Sequence, residues 1–440
     1  MVRGIPRAWR SEARSRLTSR RRMRYTAAMI SLPPRIDTDW LARPATQAVF
    51  AALSAAGHEG RAVGGAVRNA LIGKAVADID IATPATPEQV MAAAAAAGLD
   101  VVQTGLKHGT VTVVSAHIPH EVTTLRRDVE ADGRHAVVAF TDDWAADAAR
   151  RDFTINALYC GADGRVHDPL GGYGDLVARR VRFIGDARAR IREDFLRILR
   201  FFRFTAEYGV GPVDAIGLAA CGDLRAGLQR LSAERIRTEV LKILTALRAA
   251  DITAVMHEHG FWVTLLGLAP VPQHLAGLID VAPETSATTR LAALCLATPE
   301  DASRLSARLR LSNVEADQMA ALARLGVPFR LPMAPVEARR LMYREGRDAF
   351  LAALAVARAR HGEDRAKPWH WQMLQATAAA WQPPKFPLRG QDLLDLGFAA
   401  GPAVGETLRR LEAWWVAHDF APDRDALLAH LDVAARGTGA

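Results

Sequence analysis

Cysteine is scarce in this chain of 440 residues: there are three, Cys160, Cys221 and Cys295. They lie far apart, and none belongs to a Cys-x-x-Cys pair. That excludes a disulfide framework and a thiolate zinc site, and it suits a reducing compartment, so a cytoplasmic location is expected. No apolar run approaches the ~20 residues that a membrane-spanning helix needs, so no membrane partner is expected either. No Gly-x-Gly-x-x-Gly follows an extended run, which argues against a dinucleotide-binding fold. His167-Asp168 and His418-Asp419 are isolated pairs without upstream partner histidines, so a metal-dependent phosphohydrolase pattern is missing. Net charge is also missing from most of the chain. The formal total is +8, and residues 1–24, with nine arginines and one glutamate, supply all of it. A basic face for nucleic acid must therefore come from local clustering, not from the global balance.

The length calls for two to four domains at roughly 100–200 residues each. Residues 1–30 read as a disordered basic leader rather than a transit-like segment. Residues 31–185 mix short alternating strands with helices: a helix over 38–56, a Gly-Gly turn and short helix over 61–72, a strand over 77–83 and a helix after Pro87 that ends at Gly98. Three β-rich runs and a helix over about 142–151 follow. Asp128 to Thr141 is polar and reads as a mobile loop of about 14 residues. From 186 to 440 nearly every periodic segment is helical. The division expected is a head over 31–185, a neck over 186–250, a body over 251–382 and a tail from the proline break at 383 to 440.

Asp78 and Asp80 stand two apart in the strand expected over 77–83. A period of two puts both on one face. Adjacent carboxylates repel unless a cation neutralises them, and hard oxygen ligands suit magnesium. A DxD pair on a solvated face is usually inert, but its setting, "VGGAVRNALIGKAVADID", is not ordinary. Gly64 and Gly65 let a backbone approach a phosphate, and the following helix offers free N–H groups to an anion. Arg68 adds a cation three residues after Gly65 and ten before Asp78. Glu121, opening "EVTTLR", is the candidate third carboxylate, against the alternative of a strand-edge glutamate facing water.

"RRDFTINAL" (150–158) and "REDFLRILRFFRFTAEYG" (192–209) supply arginines. In the second, Asp194, Arg197, Arg200 and Arg203 recur every three residues and form a drifting stripe on one helix. Apolar residues fill the other positions, so the helix is largely buried. Its arginines need partners: an internal ladder of carboxylates, or a bound anionic nucleotide, which is the reading preferred.

Residues 61–83 resemble the signature of the class II nucleotidyltransferases, which include CCA-adding enzymes and bacterial poly(A) polymerases. The resemblance implies an α+β nucleotidyltransferase head with a polymerase-β-like mixed sheet, followed by an all-α neck, body and tail. Asn69 departs from it, since the family usually has aspartate there. "RRDFTINAL" resembles the second family motif, which implies that Arg151 contacts the nucleotide and that Asp152 and Asn156 support the site. "EDxxR", here Glu193, Asp194 and Arg197, resembles the element that replaces a nucleic-acid template. Asp194 would accept from the exocyclic amine of cytosine or adenine, and Arg197 would donate to the neighbouring ring atom. Arg200 and Arg203 match further nucleotide-binding positions. "LSAERIRTEVLKIL" (231–244) resembles the neck, and 387–415 resembles the bacterial tail.

The implied activity is addition of CCA to the 3′ end of tRNA from CTP and ATP, with Mg2+ on Asp78 and Asp80. "TGLKHGTVTV" (104–113) and the 128–141 loop favour this over poly(A) or A-only addition. A catalytically inactive RNA-binding protein is the alternative from another class. The expected macromolecular partner is the tRNA acceptor arm, with no protein partner evident.

Overall fold

The computed structural model describes residues 33–103, 105–106, 109–130, 137–326, 332–361 and 367–436. The basic leader and the centre of the 128–141 loop, residues 131–136, lie outside the described residues. The described residues fall into two compact units. One is drawn from Met1–Leu125 and Ala157–Gly174, the other from Arg126–Asn156 and Asp175–Ala440.

The first unit is built on a seven-stranded mixed sheet in the order β3-β4-β5-β2-β1-β8-β9. Its strands are β1 (Arg61–Val63), β2 (Asp80–Thr83), β3 (Asp100–Val102), β4 (Thr110–Ser115), β5 (Ile118–Thr124), β8 (Tyr159–Gly161) and β9 (Val166–His167). Only β2 and β5 run parallel among the paired strands. Alternation sets the faces: in β4, Val111 and Val113 are buried while Thr110 and Thr112 are less so. Ile81, Val111, Val122 and Tyr159 are fully buried. The helices Pro44–Ala55 and Pro87–Ala96 pack with each other and with β4. The second of these starts where its sequence directs. The Thr86 side chain accepts from the Gln89 N–H, the Gln89 side chain accepts from the Thr86 N–H at 2.8 Å, and Pro87 opens the first turn. The helix expected over 38–56 is two, Asp39–Ala42 and Pro44–Ala55, because Pro44 restricts Arg43 to an extended backbone.

Among its described residues the second unit holds one antiparallel hairpin, β6 (Arg126–Glu130) with β7 (Val137–Phe140). Much of the stretch expected as an irregular loop is therefore strand: Val137–Phe140 carries enough β-branched and apolar side chain to pair with Arg126–Glu130. Among the described residues the rest of the unit is mainly helical, apart from an isolated antiparallel bridge between Phe153 and Phe183. Its helices include Pro272–Val281, Ala287–Cys295 and Gly390–Asp395. The first two are largely apolar and lack a clean polar face, which hides helical periodicity. The C-terminal helices close around Leu393, Leu411, Trp415, Leu427 and Leu431.

Candidate active site

β2 begins at Asp80, so Asp78 precedes the strand and the span expected over 77–83 is shorter. The alternation nevertheless holds: Asp78 is exposed, Ile79 buried and Asp80 half-buried. Pairing starts at Asp80 because its neighbours reach that far, with Val63 on one side and Glu121 on the other. Glu121 is the parallel partner of Asp80, so both side chains leave the same face of the sheet on strands ~4.8 Å apart. Among the described residues, no three histidine, cysteine or carboxylate side chains gather closely enough to hold an ion. Asp78, Asp80 and Glu121 therefore do not form a closed cage. An open, oxygen-only pair fits a hard divalent cation that keeps waters and shares its remaining positions with phosphate oxygens.

Gly64 and Gly65 directly follow Val63, the antiparallel partner of Asp80. Gly64 sits at φ 69°, ψ −116°, a conformation that only glycine adopts without strain. A Cβ at Gly65 would meet nothing nearer than an Arg68 guanidinium nitrogen at 3.8 Å, so the backbone there is open to a ligand. Arg68 is buried rather than projecting into solvent. Its Nε and Nη2 donate to Asn69 Oδ1 at 3.2 and 3.0 Å, and Asn69 Nδ2 donates to the Ala75 carbonyl at 3.1 Å. That second bond needs an amide; an aspartate could not donate it.

In the second unit the arginines are cross-braced. Arg150 and Arg151 both bond Asp147, at 2.7 and 3.0 Å, and Asp147 is only 1% exposed. Arg190 donates to the Arg151 carbonyl and to Glu193, at 2.7 Å each. The stripe from Asp194 to Arg203, expected on one helix, is divided: Asp194 lies between two helices, Ala187–Glu193 and Leu196–Tyr208. Asp194 is extended (φ −154°, ψ 108°) and its Oδ1 accepts the Leu196 N–H at 3.0 Å. A short acidic side chain that can satisfy the orphan donors of the next helix favours a break over continuation. Asp194 therefore lies off the arginine stripe.

Arg197 donates through Nη1 to Glu193 and to the Arg190 carbonyl at 2.8 Å; among the described residues its Nε and Nη2 have no hydrogen-bond partner. Arg200 donates to Asp152, whose Oδ1 also takes Asn156 Nδ2 at 3.0 Å and its neighbour's Phe153 N–H at 2.9 Å. Burial alone would raise the Asp152 carboxyl pKa, but Arg200, Asn156 and the Phe153 N–H outweigh it and hold it below the ordinary value. Arg203 donates to Glu239 at 2.6 Å and lies 4.3 Å from the centroid of the Phe204 ring. The internal carboxylate ladder is thus present, and among the described residues it leaves Arg197, Arg200 and Arg203 each with unused N–H donors. Asp147 and Glu239 were not singled out from sequence, although Asp147 stands four residues before Arg151, the spacing of a helical ion pair.

Three profiles match the chain: the Poly A polymerase head domain over residues 60–182, the RNA- and SrmB-binding site of polymerase A over 218–271, and tRNA nucleotidyltransferase domain 2 over 281–431. The mouse protein named CCA tRNA nucleotidyltransferase 1, mitochondrial, is 34% identical over 85% of this chain and 86% of its own length. A CCA-adding enzyme of Geobacillus kaustophilus is 31% identical over 85% of this chain and 93% of its own. The crystal structure of the Bacillus stearothermophilus CCA-adding enzyme in complex with CTP superposes with a TM-score of 0.72 at 27% identity, covering 90% of this chain and all of that one. With a polymerase-type mixed sheet, a helical remainder and this kinship along most of its length, the chain belongs to the class II CCA-adding tRNA nucleotidyltransferase family.

Proposed function

We propose that the chain adds cytidine and adenosine to the 3′ end of tRNA, with CTP and ATP as donors and no nucleic-acid template, releasing pyrophosphate. The carrying observation is kinship along 85% of the chain with proteins named for CCA addition. The same kinship favours this reading over the poly(A), A-only and inactive ones. The family is generally dependent on a divalent metal, and Mg2+ is our assignment for this chain.

Asp78 and Asp80 would hold the Mg2+, whose chemistry is to neutralise charge at the reacting phosphate and activate the 3′-hydroxyl. The remaining work falls to the protein. The open backbone at Gly64 and Gly65, with Arg68 buried beside it, receives the triphosphate. Glu121, on the same sheet face as Asp80, is placed to orient the attacking hydroxyl. Arg151, held by Asp147, contacts the nucleotide. Asp194 accepts from the base amine, while Arg197 donates from the Nε and Nη2 edge that its own anchors leave unused. Uracil and guanine present a carbonyl where that amine should be, so acceptor faces acceptor and the base is rejected. Arg200 and Arg203 contribute their remaining donors. Catalysis then rests on positioning and charge neutralisation.

We assign residues 31–185 to the catalytic head, 186–250 to the neck, 251–382 to the body and 383–440 to a tail that holds tRNA by shape and phosphate contacts. We place the protein in the cytoplasm. All three thiols are buried and unpaired, and burial pushes Cys160 up to about 12. None of the described helices is long and apolar enough to cross a membrane.

The test supplies CTP and ATP separately to tRNA lacking CCA. Incorporation of CTP, followed by ATP only after CC, is expected. ATP addition to a bare end without CTP use would replace this reading with an A-adding one.

A further inference from the structure

Asp194 is fixed at both oxygens. Oδ1 takes the Leu196 N–H at 3.0 Å, and Oδ2 takes Arg235 Nη2 at 2.7 Å. Arg235 stands on the helix Ala233–Thr245, well separated in sequence from the residue it holds. The turn is braced from a third side. A Cβ at Gly227 would stand 2.0 Å from the Phe195 ring, so the segment Arg225–Arg230 lies flush on the residue after Asp194. Arg230 covers the same ring at 5.3 Å from its centroid. A small cavity of about 70 Å³ opens here, lined by Asp194, Phe195, Arg230 and Arg235 among others. The Asp194–Arg235 pair is partly exposed, with side chains 32% and 44% accessible. A pair this wet adds little to stability, which leaves direction as its main contribution.

We propose that Arg235 is a positioning residue for base selection: it fixes the plane of the Asp194 carboxylate so that its spare lone pairs point where the base amine must arrive. This rests on the reading of Asp194 as the base-reading acceptor. Each carboxylate oxygen has about two lone-pair directions. With one direction on each taken by the protein, the remaining two are set in space. Hydrogen bonds weaken steeply when misaligned, so a carboxylate free to rotate about its last bond rewards the correct amine less. It also penalises a misplaced carbonyl less, because it can turn away. Arg235 thus sharpens discrimination between CTP and UTP more than it strengthens CTP binding.

The experiment measures kcat and KM for CTP, and the ratio of UTP to CTP incorporation, in wild type and in Arg235→Met, Arg235→Lys and Asp194→Asn. The ratio does not depend on what fraction of a variant folds. R235M should raise the UTP:CTP ratio roughly tenfold, the loss of one well-aligned hydrogen bond to a charged group. The KM for CTP should rise less than the ratio, and R235K should recover part of the ratio, since an ammonium restores charge but not the planar fork. If D194N changes the ratio and R235M does not, the positioning role is wrong while the Asp194 reading stands. If R235M lowers the KM for CTP at an unchanged ratio, Arg235 competes with the base rather than aiming its acceptor. If D194N leaves the ratio untouched, the base-reading assignment fails, and this proposal with it.

Discussion

The carboxylate edge of the first unit and the arginine row of the second solve opposite problems. Asp78 is exposed, and no closed cage surrounds it among the described residues. Arg197, Arg200 and Arg203 are each held by a carboxylate, from Glu193, Asp152 and Glu239. A ligand pair for an exchangeable cation gains from openness, because the cation must keep sites for substrate oxygens. Groups that read the shape of a base gain from rigidity, because selectivity is lost when donors can reorient. Mutations at the first should abolish chemistry and spare the fold. Mutations at the second should blur selectivity and cost stability.

The largest expected effect follows from that contrast. Asp78→Ala and Asp80→Ala should each lower nucleotidyl transfer by at least roughly 10³-fold, since charge neutralisation at the reacting phosphate is the main catalytic contribution. Denaturant unfolding of Asp78→Ala should stay near wild type. A D78A variant that unfolds readily would mean that the edge is structural and break the comparison.

Next in size is Arg200→Ala. It leaves the Asp152 carboxylate buried without its cation, which should cost about 2 kcal/mol in a urea titration, reduced from the fully buried case because Arg200 is partly exposed. The same substitution should weaken nucleotide binding by a smaller factor than D78A weakens catalysis. The pH dependence has a definite sign. Asp152 is held below the ordinary carboxyl pKa in the fold, so its contribution is complete above that ordinary value of ~3.9 and is lost as pH falls through the lower, folded value. Asp152→Asn should therefore flatten part of the acid limb of melting temperature against pH and leave the limb above pH 6 parallel to wild type.

The smallest effect is expected at Asn69. Asn69→Asp keeps an acceptor for Arg68 but sets a carboxylate oxygen against the Ala75 carbonyl, where an amide N–H now donates. A rise in the KM for CTP of about threefold, with kcat unchanged, is the expected outcome for one neutral hydrogen bond lost at the edge of the site. No change in KM would mean that the Asn69–Ala75 bond does not position Arg68.

Much of this was legible in the sequence, and the failures have physical causes. The sheet residues around Val111 and Val122 show their faces by alternation, and the helix Pro87–Ala96 announces its start through Thr86, Pro87 and Gln89. The glycine pair and the Asp78–Asp80 spacing stand out because few structural needs call for them together. The break at Asp194 was hidden. The arginine period of three runs through 194 to 203 without interruption, and an aspartate that caps the next helix looks like a member of the stripe. Glu239 and Arg235 were hidden for another reason: each lies on an ordinary amphipathic helix, and only tertiary contact reveals that one anchors Arg203 and the other anchors Asp194. Hairpin pairing of Arg126–Glu130 with Val137–Phe140 was masked by the polar residues between them.

The central claim is that Asp78 and Asp80 together hold the catalytic metal. A crystal structure of the full chain with CTP and Mn2+, using the anomalous signal of the metal, tests it most directly. The account predicts a metal peak at coordinating distance from Asp78 and Asp80, with phosphate oxygens of CTP among its other ligands. A metal and its phosphates bound away from both Asp78 and Asp80 would contradict it.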